Sequence, residues 1–492
     1  MSLQVNKTQF HYRFKNQIPN KNCHFDAEFT KKSRIWFKYI ILWGILNREG
    51  EFCNGGNNML LMFKVKNYTS FKTESILDMR ATAYVQHPSH VINVNDKLGL
   101  LKTTALYGAN ASGKSNLISA MFLFEQYIFS QFINKKDNEG FEPAESGVKM
   151  KLEPFTLSDD GNEASEFDII FLRNGKQIQY GFECTHKEVL NEWMYINDKK
   201  VFERTGTELS FGSRYQKMLG AYRKLPAERL YIAVLEYFLD EEARVAVLDD
   251  FISFFREEYN VFTEILFEST VKGLAGMVGL SRKLVSNKAF REKVEYYLRL
   301  IDVGIKRLDV QTETILNERT GRKKKEKVVR TVHDVYDEAG NVVGEKLFDL
   351  QQESTGTLRF LAYIQNIIEM ISKGGVFIVD EMSARLHPLL TKLIVDIFCS
   401  SQNKKAQLIF TTHDISLLNN NQFRRDEIVF VDKNERGEST LYALSDIKVR
   451  EDATFSKDYL QGKYGAIPIL NIVEISVQAH QKSRIPNRKL LF

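Results

Sequence analysis

The chain has 492 residues, a net charge of +5 and a hydrophobic share of 43%, which excludes a disordered or fibrous class and leaves room for about two to four packed domains. Its most apolar run, Ile35–Leu46, is broken by Lys38 and is far shorter than the ~20 residues of a membrane span, and no secretory signal opens the sequence. The four cysteines, Cys23, Cys53, Cys184 and Cys399, lack metal-ligand spacing, so a zinc fold is excluded and a reducing cytoplasm is expected.

Residues 1–58 stand apart. They hold nine Lys/Arg against four Asp/Glu, 9 − 4 = +5, so residues 59–492 sum to zero. They also hold Trp36, Trp43 and two of the cysteines, without helical or strand periodicity. An extension of uncertain status, or an upstream start, is expected there, with a basic amphipathic anchor around Lys31–Arg48 as the functional alternative. Leu61, Phe63 and Val65 then alternate in a strand-like stretch opening at Met59.

The next segment organises the rest. An apolar strand, Thr104–Tyr107, runs into Gly108, Ala109, Asn110, Ala111, Ser112, Gly113, Lys114, Ser115 and Asn116, and a helix is expected to Phe129. The G-x-x-x-x-G-K-S spacing is that of a phosphate-cradling loop. Its glycines let backbone N–H groups turn toward an anionic triphosphate, and the new helix adds its positive end. Lys114 can reach the β- and γ-phosphates, and Ser115 can hold Mg²⁺. ATP and Mg²⁺ are therefore the expected ligands.

A β-meander follows over Glu153–Gly181, turning at Asn174-Gly175, and Leu190–Phe202 supplies two more short strands. Residues 213–310 read as mostly helical, with helices expected at Leu230–Phe238, Glu242–Tyr259 and Lys288–Ile301. The stripe of Phe251, Phe254, Phe255 and Tyr259 reads as core rather than a base-stacking platform. Arg319–Lys327 is a charge run, read as a solvated loop with a nucleic-acid backbone contact as the sharper alternative. Val328–Leu350 reads as a hairpin turning at Glu338–Asn341.

The chain then alternates helix and strand: helix Thr357–Ser372, strand Val376–Val379, helix Leu389–Ser400, strand Gln407–Thr411, helix Ile415–Asn419 and strand Glu427–Asp432. That pattern implies a mainly parallel sheet covered on both faces. Such a sheet delivers Asp380 and Glu381, at the end of the Val376–Val379 strand, to the rim that carries the phosphate loop. Asp380 can orient Mg²⁺, and Glu381 can polarise the attacking water. His413, after the next strand, can sense the γ-phosphate. Ser354 and Gly356, in Glu353–Arg359, head a second helix and make a second anion-binding end. Two phosphate-facing helix ends suit two copies arranged head to tail, each closing the other's nucleotide.

The order of phosphate loop, long insertion, Ser-x-Gly signature, Asp-Glu strand and histidine resembles the ABC-type ATPase heads of the SMC, RecF and OLD group. The Ser115–Asp380 separation, 380 − 115 = 265 positions, suits a head with a helical lobe. A closer resemblance, over Met59 to Leu470, is to the AbiL-like AAA-family ATP/GTPases of abortive infection. It is carried by Phe63–Phe71, the phosphate loop, Glu353–Arg359, Asp380-Glu381 with Leu386-His387-Pro388, Thr411–Asp414, Arg424-Arg425-Asp426 and Tyr459–Pro468. Thr69 stands where members often carry Arg, and no glutamine suits a loop coupling metal to the lobe.

The resemblance implies an α/β fold, an ABC-type P-loop ATPase head with a mainly parallel sheet, an antiparallel β subdomain and a helical lobe insertion. The expected divisions are 1–58, 59–212 with the phosphate loop and β subdomain, 213–350 as the lobe, 351–470 as the second half of the head, and 471–492 as a tail. It implies a self-associating ATPase that serves a nuclease-like effector from a neighbouring gene in anti-phage defence. The 492 − 413 = 79 residues after His413 are too few for a nuclease domain of their own. The rival expectation is a RecF-like DNA-binding ATPase in repair.

Overall fold

The computed structural model describes residues 58–132, 152–158, 163–223, 225–263, 280–301, 304–316, 323–450 and 453–468. The expected N-terminal extension and anchor, the 471–492 tail and Arg319–Arg322 lie outside the described residues.

The six-stranded sheet positions the site. Its strand order is Tyr259–Phe262, Gly375–Val379, Ala406–Thr411, Thr103–Tyr107, Ile428–Lys433, Ser439–Ala443. The first five strands are parallel, and the last is antiparallel to its neighbour. Thr103–Tyr107, Gly375–Val379 and Ala406–Thr411 are buried along their whole length. Helices Thr355–Lys373 and Pro388–Cys399 pack on this sheet.

A seven-stranded antiparallel sheet forms the second layer, ordered Glu208–Phe211, Lys199–Thr205, Val189–Ile196, Lys176–Cys184, Ser165–Arg173, Met59–Lys66, Ser75–Asp78. Its Ser165–Arg173 and Lys176–Cys184 strands join through Asn174-Gly175, both at positive φ (49° and 74°), as an Asn-Gly hairpin requires. One face packs against the helix Lys114–Ser130. Phe124 of that helix stacks on Phe182 at 5.5 Å and meets Phe63 edge-on at 5.9 Å. Burial of such rings contributes roughly 1.5–3 kcal/mol each.

The expected Phe251–Tyr259 stripe belongs to this same core. Phe254 lies flat on Phe171 at 4.0 Å, and Phe251 meets Tyr180 at 4.9 Å. Packing is thus continuous across residue 213, since Tyr215, Tyr231 and Phe251 share a core with Phe63 and Phe124.

Four expectations are corrected. The helix read over Glu242–Tyr259 is two short helices, Glu241–Val247 and Asp249–Ser253, then a π turn over Phe254–Glu258. Tyr259–Phe262 is a strand of the parallel sheet, paired with Val376–Val379. The charge run is no loop from Lys323 onward, because Lys323–Tyr336 is the central strand of a three-stranded sheet with Ile305–Leu316 and Val342–Asp349. No helix forms at Ile415–Asn419. There the Asn419 amide donates to the Leu417 carbonyl (2.9 Å) and the Leu418 amide to the Ile415 carbonyl (3.1 Å), so the bond four residues back that a helix needs is not made.

Candidate nucleotide site

Gly108 follows a fully buried strand and has no room for a side chain, since a Cβ there would sit 2.3 Å from the Val431 carbonyl. Gly113, at φ 116°, caps the helix, and its missing Cβ leaves space for the hydroxyls of Ser439 and Ser70. Those two serines brace the loop from outside. Ser439 donates to the Ser112 carbonyl (2.6 Å), and Asn116 donates to Ser70 (2.7 Å). Ser112 Oγ is buried without a hydrogen-bond partner. Asn110, Ala111 and Ser115 form the exposed rim, while Gly108, Gly113 and Lys114 are buried.

Lys114 folds back and donates to the carbonyls of Gly108 (3.0 Å) and Ala109 (2.9 Å). Burial pulls its amine down to about 8, and the carboxylates of Asp380 and Glu381 oppose that shift. An ammonium held only by carbonyls in a tight loop is poised for a stronger anion.

Beside it three elements meet through one carboxylate. Asp380 Oδ1 accepts from Ser115 Oγ (3.1 Å) and from Thr411 Oγ1 (2.6 Å). The same Thr411 hydroxyl accepts the Glu381 amide (2.6 Å). Thr411 therefore locks both acidic residues to the neighbouring strand. Glu381 sits at φ 48°, a left-handed conformation that costs a non-glycine residue of order 1 kcal/mol and turns the chain out of the sheet. Arg359, almost fully buried, holds that turn by donating to the Glu381 carbonyl (3.1 Å) and to the Tyr363 hydroxyl (2.8 Å). His413 is exposed. Desolvation and the nearby Lys114 charge lower its pKa, against the pull of Asp380.

The structure therefore brings Lys114, Ser115, Asp380, Glu381 and His413 together at the C-terminal ends of adjacent parallel strands. Ser354 and Gly356 stand at the head of the helix that carries Arg359. Ser354 caps the helix Thr355–Lys373 by accepting the Thr357 amide (3.1 Å), and Gly356 faces the Arg385 carbonyl. Among the described residues no hydrogen bond joins either of them to the phosphate loop.

Sequence reasoning assigned no site role to Thr411, Arg359, Ser70 or Ser439, although the first three lie in stretches that carry the resemblance. Thr411 left a trace, a hydroxyl residue ending an apolar strand, and Arg359 another, a lone cation among apolar helix positions. Ser70 and Ser439 left none, because only folding brings residues 369 positions apart to one loop.

The donor set fits a nucleotide and a hard cation. The loop offers an unpartnered buried hydroxyl and a weakly held ammonium, and Ser115 with Asp380 supplies oxygen ligands alone. The fold and this site define the protein as an α/β domain of the P-loop NTPase class. A family model described as "AAA domain, putative AbiEii toxin, Type IV TA system" matches residues 103–419, and the chain belongs to that family. No curated protein matches it.

Among solved structures, the SMC head domain from Thermotoga maritima is similar at 15% identity, with 80% of this chain and 100% of that one covered and a TM-score of 0.35. An Smc head bound to the C-winged helix domain of ScpA is similar at 13% identity, covering 78% and 98%, with a TM-score of 0.35. An Smc head with an extended coiled coil, bound to the C-terminal domain of ScpA derived from Pyrococcus furiosus, matches at 13% identity, covering 87% and 100%, with a TM-score of 0.33. No described helix is long and apolar enough to cross a membrane.

Proposed function

We propose that the protein is a Mg²⁺-dependent ATPase whose heads close head to tail around shared nucleotides and drive a partner effector. The observation that carries this reading is the convergence of Ser115, Thr411 and Asp380 beside the half-withdrawn Lys114. Backbone amides of residues 108–116 and the Lys114 ammonium bind the triphosphate. Ser115 and Asp380 hold Mg²⁺, which supplies charge neutralisation on the phosphate oxygens when bound. Glu381 orients and deprotonates the attacking water, and His413 contacts the γ-phosphate side.

Ser354 and Gly356 serve a second copy. Ser354 at that end is exposed, and Gly356 is half-buried against the Arg385 carbonyl. The family description names a putative AbiEii toxin and a Type IV toxin–antitoxin system, which supports a role in abortive infection. The effector of this reading is a nuclease-like protein from a neighbouring gene, and its setting is the cytoplasm. A RecF-like reading has one observation in its favour, the exposed Lys325 and Lys327 on their strand. It predicts salt-dependent duplex binding without a partner, lost when these lysines are neutralised.

The deciding experiment mixes two inactive variants. Lys114→Ala should abolish ATP binding in its own loop, and Ser354→Arg should block the end offered to the other copy. Their mixture should regain one working site per dimer. Two well-folded variants that regain no hydrolysis would overturn the shared-site reading, and unchanged ATP affinity in Lys114→Ala would overturn the loop assignment.

A further inference from the structure

The antiparallel sheet has a second face, turned away from the nucleotide loop's helix. A single row crosses it in register: Lys64 opposite Asp168, Asp168 opposite Gly181, Gly181 opposite Trp193, Trp193 opposite Glu203, Glu203 opposite Ser210. Gly181 is the pivot of that row. A Cβ there would lie 2.4 Å from the Trp193 ring, so the indole lies flat across the glycine. This lets Trp193 Nε1 reach over one strand and donate to Asp168 Oδ2 (2.8 Å), which also accepts from Gln179 (2.9 Å).

The other oxygen, Asp168 Oδ1, is buried and has no hydrogen-bond partner, and Asp168 as a whole is 3% exposed. Burial pushes its carboxyl up to about 6. Asp168 and Trp193 line a cavity of about 840 Å³. Glu166, Glu183, Glu203 and Glu208 surround it together with the buried pair Glu192–Arg204 (3.6 Å), and Lys64 is bonded to Glu166 (2.6 Å). Glu183 and Glu203 are bonded to Asn191 and Lys200. Asp168 keeps a buried oxygen with no partner beside a half-buried aromatic ring.

We propose that this face is a docking site for a protein partner, which inserts a lysine or arginine side chain into the cavity over Asp168 and Trp193. The occupant follows from charge complementarity. Six carboxylates, Glu166, Asp168, Glu183, Glu192, Glu203 and Glu208, stand against three cations, Lys64, Arg204 and Lys200, and that excess selects a cation. A donor to Oδ1 fills its missing hydrogen bond, and the indole, which already has Lys64 at 6.0 Å, is a face that holds an ammonium or guanidinium group. The site is separate from the nucleotide pocket and stands whether or not the chain hydrolyses ATP.

The test uses the full chain with Trp36→Phe and Trp43→Phe, so that Trp193 is the sole fluorophore among the three tryptophans. An acetylated Gly-Arg-Gly amide is titrated against it. A saturable change in Trp193 emission is expected, with affinity falling roughly tenfold or more in Asp168→Asn, which keeps the acceptor for Trp193 but loses the charge. Absence of a saturable change into the millimolar range, or equal affinity in a normally melting Asp168→Asn, overturns the proposal. Should Asp168→Asn not fold, Glu183→Gln with Glu203→Gln replaces it; weaker binding supports the site, and unchanged affinity overturns it. Spermidine binding tighter than the peptide would assign the cavity to a free polyamine and overturn the protein partner.

Discussion

The two large sheets solve opposite problems. The parallel sheet is covered on both faces, so its side chains have nowhere to act except at the strand ends, and Asp380, Thr411 and Gly108 all sit there. The antiparallel sheet buries one face against helix Lys114–Ser130; its other face is covered by Ile92 and Leu100 at the Met59–Leu172 end and, among the described residues, displays a row of side chains across its middle. Ends converge on a point and suit one small, highly charged ligand. A face spreads its contacts and suits a partner surface. The contrast teaches that strand direction, through which faces get covered, decides where chemistry can be placed.

Altering strand ends should therefore change turnover at nearly constant stability, whereas altering the open face should do the reverse. The largest effect is expected for Glu381→Gln. It should bind ATP, lower kcat by about 10²–10⁴ and accumulate the closed dimer, as single-turnover hydrolysis and sedimentation would read. Normal turnover would mean that the water is activated elsewhere.

Thr411→Val is expected to cost roughly tenfold in kcat, because it removes both the bond to Asp380 and the acceptor for the Glu381 amide. Thr411→Ser should restore the rate, and the Mg²⁺ concentration for half-maximal activity should rise only in the valine variant. An equal melting temperature in both would separate positioning from stability.

Next in size is a pH effect. Lys114 titrates near 8 in the free protein because burial disfavours its charged form. The phosphates need the ammonium, so below that value binding takes up no proton. Above it each bound nucleotide must recruit one, and affinity should fall as pH rises, approaching tenfold per unit. Calorimetry from pH 7 to 9.5 would show it, and a flat affinity would remove the lysine from the contact.

The smallest effect on turnover belongs to the open face. Gly181→Ala should leave ATP hydrolysis unchanged but cost about 1–3 kcal/mol of stability by pushing the Trp193 ring off its strand. Denaturant unfolding followed by Trp193 emission would check it, and a loss of hydrolysis would merge the two regions that the comparison keeps separate.

Much of the parallel half was legible beforehand. The phosphate loop, the Asp-Glu strand and the strand before His413 are local patterns, each written in fewer than ten consecutive residues. Tyr459–Pro468 was legible as a string but not as a structure. It turns out to brace the sheet, with Tyr459 stacked on Phe430 at 5.5 Å and edge-on to Tyr107 at 6.2 Å. Arg424, from another matching stretch, is a buried staple that bonds the Thr82, Tyr84 and Gln86 carbonyls. The Tyr259–Phe262 strand escaped notice because four residues after a helix carry no period of their own.

By itself the sequence determined the phosphate loop, the order of the acidic strand and histidine after it, and the alternation that makes a parallel sheet, since all of these depend on neighbours along the chain. Only the tertiary structure decided that Thr411 would tie Asp380 to Glu381, that Ser70 and Ser439 would brace the loop, and that Asp168 would lie under Trp193 with one oxygen unbonded. Each of those contacts joins residues tens to hundreds of positions apart, and a hydrogen bond across such a distance exists only after sheet register has been chosen.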